Sequence, residues 1–374
     1  MASAAPRACP ECLRRSRLLA HLAPYIEKIA TGAPGSRSPE LLRLSNQDLA
    51  AIVAPNVAEQ VLTQVEAVPE RRLLEDLEAA ECWACCRHHE LFPPGLGDAA
   101  DAPWALIGRG DPALLAELHP SGVVTVVGAR RASSYGREVA RGLARELAGA
   151  GLLVVSGLAF GIDSCAHRGA LEAGRTVAVL GCGPDLVYPA AHRSLWRRIG
   201  ESGLVLSELP PGTGAWRWCF PARNRIMAAL AAMTVVVEAA ERSGSLITAD
   251  LAADLGRDLG AVPGPVGSRL SAGPHSLLAG GACLVRDAQD VLDAMLGAGA
   301  RRIERAGPAL APLPRAVLET VERGAETCDA VAATLDLTGG EAAAALADLE
   351  AAGYVSCSML GIYTRTTLVP SRDI

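Results

Sequence analysis

Two short stretches in the middle of this 374-residue chain gather side chains able to hold a nucleic acid. Phe220-Pro221-Ala222-Arg223-Asn224-Arg225 supplies an aromatic ring, two permanent guanidinium charges and an amide, and Ser243-Gly244-Ser245-Leu246-Ile247-Thr248-Ala249 supplies three hydroxyls. An aromatic face stacks on any base and a guanidinium fork matches phosphate oxygens. Neither stretch contains a general base. Phe220 lies between Arg217 and Arg223 with Trp216 and Trp218 close by, and we read Phe220 as the stacking surface and Trp218 as a plug beneath the loop. Arg223 and Arg225 fall at the start of a helix predicted over 224–231, where cations oppose the dipole. Either a bound anion compensates them, or they form salt bridges to Glu208 or Glu238. Ser243, Ser245 and Thr248 reach phosphate oxygens at the next helix start, unless Ser243 or Gly244 is a cap and nothing more.

Further anion candidates stand at predicted strand ends. Gly128-Ala129-Arg130 places a cation there, with a surface ion pair as its plain alternative. Ser156-Gly157-Leu158-Ala159-Phe160-Gly161 follows a strand and opens a helix, so its backbone N–H groups and the dipole suit an anion, or its glycines serve close packing. The turn lacks the dinucleotide-binding spacing, and Lys28, the single lysine, is not in a Walker motif. His167, His192 and His275 have no carboxylate or cysteine partner at a telling spacing and read as structural. No catalytic constellation emerges. The eleven cysteines are odd in number, which argues against a disulfide framework, and five crowd the first 90 residues. Cys9-Pro10-Glu11-Cys12 is half of a zinc knuckle, for which Cys86 with His88 is the candidate second half. Two of Cys82, Cys85 and Cys86, with His89 in reserve, are another, and reduced buried thiols a third reading.

These residues need a scaffold. Helical periodicity fills the first 80 residues, interrupted at Gly32, Gly35 and Pro55, and Pro93-Pro94-Gly95 and Gly97 mark a boundary. From about Trp104, β-branched runs alternate with Ala/Leu/Arg helices: strands near 123–127, 152–155, 176–180, 204–206 and 234–237, with 260–263 and 282–285 completing the sheet. That alternation predicts an α/β fold with a doubly wound, mainly parallel sheet, whose ligands sit at the carboxyl ends of the strands. A linker at 297–313 precedes a tail at 314–368 that reads helix, helix, helix, hairpin, the plan of a winged helix. Its third helix carries Glu341, Asp348 and Glu350 and no cation, which suits protein contact better than DNA. The expected domains are therefore a helical one over 1–98 with the cysteines, the α/β one over 103–296, and the tail. Net charge is −6, and only 121–295 has more basic than acidic residues, 17 against 15, so any nucleic-acid site depends on local clustering. Without an apolar block near its start, or an uncharged apolar run longer than 226–237, the chain is expected in the cytoplasm and not in a membrane.

In order and spacing, the blocks Val126–Arg130, Val154–Asp163, Leu180–Gly183 with Tyr188-Pro189, Ser207-Glu208, Phe220–Arg225 and Ser243–Ala249 closely resemble the DprA/Smf family of DNA-processing proteins over about 103–295. The resemblance implies a Rossmann-like domain that binds single-stranded DNA, protects it and loads the RecA recombinase onto it in natural transformation. It implies no turnover, no cofactor required for activity, and a homodimer. It maps the DNA site onto Gly128, Arg130, Ser156, Gly157, Phe160, Arg217, Phe220, Arg223, Asn224, Arg225, Ser243, Gly244, Ser245 and Thr248. Two positions depart from the family pattern: Ala129 replaces a hydroxyl residue, and Phe160 stands where an arginine is common. The rival reading is a nucleotide-processing enzyme of the lysine-decarboxylase-like phosphoribohydrolase group. Its Pro-Gly-Gly-x-Gly-Thr motif is missing, although Glu238 sits at a strand end.

Overall fold

The computed structural model describes residues 6–32, 38–97, 99–301, 305–307, 309–358, 361–366 and 368–370. Gly35, and residues 302–304 and 308 of the expected linker, lie outside the described residues. The chain divides into two compact units, 1–301 and 302–374.

Five helices open the first unit: α1 (Pro10–Gly32), α2 (Ser38–Leu42), α3 (Asn46–Val53), α4 (Ala58–Glu66) and α5 (Glu70–Ala79). Strand β1 (Trp83–Cys86), the single turn α6 (Pro94–Gly97) and strand β2 (Ala105–Gly110) follow. The alternating part then runs β3 (Val123–Val127), α7 (Ser134–Gly149), β4 (Leu153–Ser156), α8 (Ile162–Ala173), β5 (Thr176–Val179), α9 (Arg193–Ser202), β6 (Leu204–Ser207), α10 (Cys219–Leu230), β7 (Met233–Val236), α11 (Gly244–Asp254), β8 (Asp258–Ala261), α12 (Ala272–Ala279), β9 (Cys283–Leu284) and α13 (Ala288–Leu296). All nine strands form one sheet in the order β1-β2-β6-β5-β4-β3-β7-β8-β9. From β6 to β9 every pairing is parallel, while β2 joins β6, and β1 joins β2, antiparallel. Strands β3 to β7 are buried residue by residue, as strands covered by helices on both faces must be.

The antiparallel edge departs from the sequence reading. The run Trp83-Ala84-Cys85-Cys86 has too few β-branched residues to announce a strand, yet it extends the sheet. The Trp83 ring lies where a Cβ on Gly108, its register partner, would stand, and its indole N–H donates to the Gly110 carbonyl at 2.8 Å. The region expected to form a separate helical domain is thereby built into the sheet. Its core is also shared: Leu18, Leu22 and Ile26 of α1 are fully buried in one cluster with Trp218, Cys219 and Ala222 at the start of α10. Leu18, Leu22 and Ile26 each contribute about 1.5–3 kcal/mol by their burial.

α10 begins at Cys219, five residues before the expected start. Pro221 does not break it, because the first-turn N–H groups have no intrahelical partner and a proline there loses nothing. Its residues from Ala222 to Leu230 are all buried, which erased the amphipathic signature that would have located it.

The second unit contains β10 (Arg305–Gly307), α14 (Pro312–Glu322), α15 (Cys328–Leu335), α16 (Gly339–Ala351), β11 (Val355–Cys357), β12 (Tyr363–Arg365) and β13 (Leu368–Pro370). Its core gathers Val317, Leu318, Val331, Leu346, Leu349 and Tyr354, and Thr338 closes a capping box with Glu341 at the start of α16. β11 and β12 pair antiparallel, and β10 pairs with β13. Glu341, Asp348 and Glu350 are exposed.

Candidate nucleic-acid interface

β3 is hydrogen-bonded to β4 on one side and β7 on the other, and the chain winds outward from it in both directions. Such a reversal leaves a crevice above the carboxyl ends of the two strands. A cleft of about 580 Å³ opens there. The turn after β3 brings Gly128, Arg130 and Arg131 to it, the loop before α10 brings Arg217, α10 itself brings Phe220, Arg223 and Asn224, and the start of α11 brings Ser243, Gly244, Ser245 and Thr248. Among the described residues lining it, four are arginines and one, Asp163, is a carboxylate.

The cations divide into two kinds. Arg130, Arg131 and Arg217 are exposed. Arg130 holds its guanidinium 5.1 Å from the centre of the Phe220 ring, and the Tyr188 ring stands 5.4 Å from Phe220, tilted by 40°. Tyr188 is 49% exposed, so the cleft presents an aromatic pair topped by a charge. In the sequence Tyr188 stands out only as part of the Tyr188-Pro189 motif. Its lining position depends on the loop between β5 and α9 folding back over the strand ends, which no local pattern announces.

Arg223 forms part of the floor. It is buried, its Nη1 donates to the Gly157 and Val179 carbonyls, the latter at 2.6 Å, and its Nε donates to Asn224 Oδ1 at 3.0 Å. Asp163 lies 3.8 Å away. Burial pushes the Asp163 carboxyl above its ordinary range while Arg223 opposes the shift, and burial lowers the Arg223 guanidinium against the pull of Asp163. A Cβ at Gly157 would overlap the Arg223 guanidinium, so the glycine leaves room for that side chain in its present position. Ser156 is fully buried, its hydroxyl donating to the Val126 carbonyl at 2.7 Å. The Ser156-Gly157 turn therefore seats Arg223 and does not line the cleft.

Two further expected contacts take other positions, while Trp218 takes the plug position expected of it. Arg225 is buried, donating from Nη2 to both carboxylate oxygens of Glu208 at 2.7 and 2.8 Å, with Asp101 at 3.9 Å. Phe160 is 48% exposed beside the cleft lining and packs edge-on against His192 at 4.9 Å. Trp218 is buried, its indole N–H donating to the Ala23 carbonyl at 3.2 Å and its backbone N–H to Glu27 at 3.1 Å, which makes it the plug between α1 and α10. Ser243 caps α11 by accepting from the Ser245 N–H, and Asn224 Nδ2 donates to the Gly244 carbonyl at 3.2 Å, fastening α10 to that cap.

Glu238, the strand-end carboxylate of the enzymatic alternative, is buried and consumed at the start of α7. Its oxygens accept the Ser133 N–H at 2.9 Å and the Ser133 hydroxyl at 2.5 Å, so it does not face the cleft as a base. His167 donates or accepts at Thr176 Oγ1 across 2.8 Å, and burial drops its imidazole to about 3, which keeps it neutral. Away from this lining, Cys9, Cys12, Cys86 and His88 bring their ligand atoms within 4.8 Å of one another. No helix among the described residues is long and apolar enough to cross a membrane.

Comparison with known proteins agrees with this geometry. Residues 83–296 match the family model of DNA recombination-mediator protein A. A putative DNA processing protein DprA of Mycobacterium tuberculosis is 45% identical over 261 residues, 68% of this chain and 66% of the relative, so the chain spans just under two thirds of that protein's length. The DNA processing protein DprA of Streptococcus pneumoniae is 45% identical over 54% of this chain and 71% of its own. The crystal structure of the pneumococcal DNA processing protein A superposes with a TM-score of 0.60 at 33% identity, covering 76% of this chain and 98% of that one. DNA processing protein A of Helicobacter pylori, solved for its single-stranded DNA binding mode, superposes with a TM-score of 0.51 at 31% identity over 55% of this chain and 93% of its own. With the Rossmann-like sheet, its switch-point cleft and the family model all falling on the same residues, the chain belongs to the DNA recombination-mediator protein A family, DprA/Smf.

Proposed function

We propose that the switch-point cleft binds single-stranded DNA, with Arg130, Arg131 and Arg217 on phosphates and Phe220 with Tyr188 stacking on a base. One observation carries this reading: the cleft's exposed charges are all guanidinium, set around an aromatic pair of half-buried Phe220 and exposed Tyr188, while its one carboxylate is buried against Arg223. Such a surface draws a phosphate chain and stacks bases without regard to sequence. Ser243, Ser245 and Thr248 add hydroxyls at the α11 N-terminus, where the dipole favours an anion. Arg223 sets the floor, and Arg225 and the Ser156-Gly157 turn hold the scaffold.

We read the role as binding without turnover, because Glu238 and His167 are both engaged in the fold. The bound strand is presented to the RecA recombinase during DNA uptake, and the chain works as a homodimer, as the family resemblance implies. The acidic face of α16 is assigned to a protein partner. Gel shift with an oligo-dT strand and its duplex, using Phe220→Ala and Arg217→Ala, tests the site. Strong preference for the single strand, with binding to it weakened in both variants, is expected; equal binding to duplex, or undiminished binding in both variants, refutes it. Recombinase loading is tested by assembly of RecA filaments on strand already covered by single-strand binding protein, where addition of this protein accelerates assembly if the reading holds.

A further inference from the structure

We propose that Cys9, Cys12, Cys86 and His88 hold a structural Zn²⁺ that locks the first turn of α1 to the end of edge strand β1. The inference stands on this cluster alone and is independent of the DNA reading. His88 Nδ1 lies 3.5 Å from Cys9 Sγ, 3.6 Å from Cys12 Sγ and 4.0 Å from Cys86 Sγ. A tetrahedral zinc with bonds of about 2.3 Å to sulfur and 2.0–2.1 Å to nitrogen separates nitrogen from each sulfur by about 3.6 Å. The three observed separations bracket that edge. The backbone N–H of Cys9 points at Cys86 Sγ from 3.4 Å, the donor a ligating thiolate needs.

The ligands come from two segments more than 70 residues apart, and each is selected by its local structure. Cys9 and Cys12 sit at the start of α1, where a two-residue gap turns both side chains the same way. In β1, alternation sends Cys85 into the main sheet core and leaves Cys86 on the opposite face with Cys12. His89, the other candidate, already accepts the Leu91 N–H at 3.1 Å, and the Cys82 thiol donates to the Ala80 carbonyl at 3.3 Å. Three thiolates and one imidazole in a closed tetrahedron select zinc over magnesium or calcium and leave no open position for catalysis.

The metal also has mechanical work in this fold. The apolar cluster around Cys12 and Cys86 is small, with Leu13, Leu73, Leu77 and Ile107 its largest buried members. Farther along, α1 accepts both Trp218 hydrogen bonds, so the helix that zinc anchors is the one the start of α10 rests upon. Binding free energy at such a site adds directly to folding free energy.

The test uses the full chain, purified with reductant and without chelator. Metal analysis is expected to give about one zinc per chain, falling below about half in Cys12→Ser, Cys86→Ser and His88→Ala but not in Cys82→Ser. Chelation should lower Tm, and zinc alone should restore it. Cobalt exchange of the unmutated protein should produce an intense thiolate-to-metal band in the near ultraviolet with tetrahedral visible bands, which decides the matter even where a variant fails to fold. Less than about half an equivalent of zinc together with no thiolate-to-cobalt band overturns the proposal. So does full zinc content in folded ligand variants.

Discussion

If the three exposed cleft arginines each neutralise one phosphate, their removal must change how binding depends on salt, and not just how strong it is. For single strands the slope of log K against log salt is about −0.7 per phosphate contacted, so Arg130, Arg131 and Arg217 together give roughly −2. Raising salt from 50 to 200 mM, a fourfold step, should then weaken binding roughly 20-fold. Arg217→Ala leaves two contacts, a slope of about −1.4 and a loss of about sevenfold over the same range. Arg130→Ala should match that slope and lose extra affinity at every salt concentration, because its guanidinium also rests on the Phe220 ring at 5.1 Å. Arg141→Ala is the control, since Arg141 is exposed on α7 and paired with Glu172. Fluorescence anisotropy of a labelled oligo-dT across salt gives each slope. Unchanged slopes in Arg130→Ala and Arg217→Ala, or an equal change in Arg141→Ala, would refute the assignment of phosphates to this cleft.

Arg225→Met should cost about 3–5 kcal/mol in urea unfolding, because it strands the buried Glu208 carboxylate, and adding Glu208→Leu should recover most of the loss; a single variant as stable as the parent sinks the buried-pair reading. Phe220→Ala should lose about 1–3 kcal/mol of oligo-dT affinity with Tm nearly unmoved. Trp218→Phe, by contrast, should cost about 1 kcal/mol of stability by depriving the Ala23 carbonyl of its donor, so Phe220→Ala and Trp218→Phe acting alike would contradict the division. His167 falls to about 3 in the fold from an ordinary 6.5, so on acidification the unfolded chain takes the proton first. Stability intact above about pH 6.5 is then lost as pH falls toward 3, by up to about 1.4 kcal/mol per unit, and His167→Gln should flatten that part of the slope in urea midpoints between pH 7 and 5. Identical slopes in the two proteins would show that His167 does not titrate this way.

The parallel part of the sheet was readable because its strands are short β-branched runs separated by glycine turns, and Val123–Val127 needs no tertiary context to declare itself. The antiparallel edge was not. β1 is Trp-Ala-Cys-Cys, and β2 contains Gly108 because the Trp83 ring occupies the place of its side chain, so each strand looks weak until the other is known. In the cleft, Arg130, Arg217, Phe220 and the hydroxyls of α11 were legible from residue type and strand-end position. Tyr188 was hidden because its loop reaches the site through tertiary folding, and Ser156 because a serine at a glycine turn looks the same whether its hydroxyl faces a ligand or, as here, the Val126 carbonyl.

The division of labour within Phe220–Arg225 follows from where α10 starts. With the helix beginning at Asn224, Arg223 and Arg225 would flank its first residue and either could reach a phosphate. With it beginning at Cys219, all six residues obey helical spacing of about 100° each. Relative to Phe220, Arg223 and Asn224 then lie about 60° and 40° to either side, and Arg225 about 140° away. The first three share the face that lines the cleft, while Arg225 is turned to Glu208 at the end of β6. One turn of helix therefore presents a stacking surface on one side and welds itself to the sheet on the other. A charge-reversing change at Arg223 or Arg225 would abolish binding in either case, but among the arginines only loss of the exposed Arg130, Arg131 or Arg217 can weaken binding and leave the fold intact. That is why the exposed arginines, and not the hexapeptide's own, carry the decisive measurement.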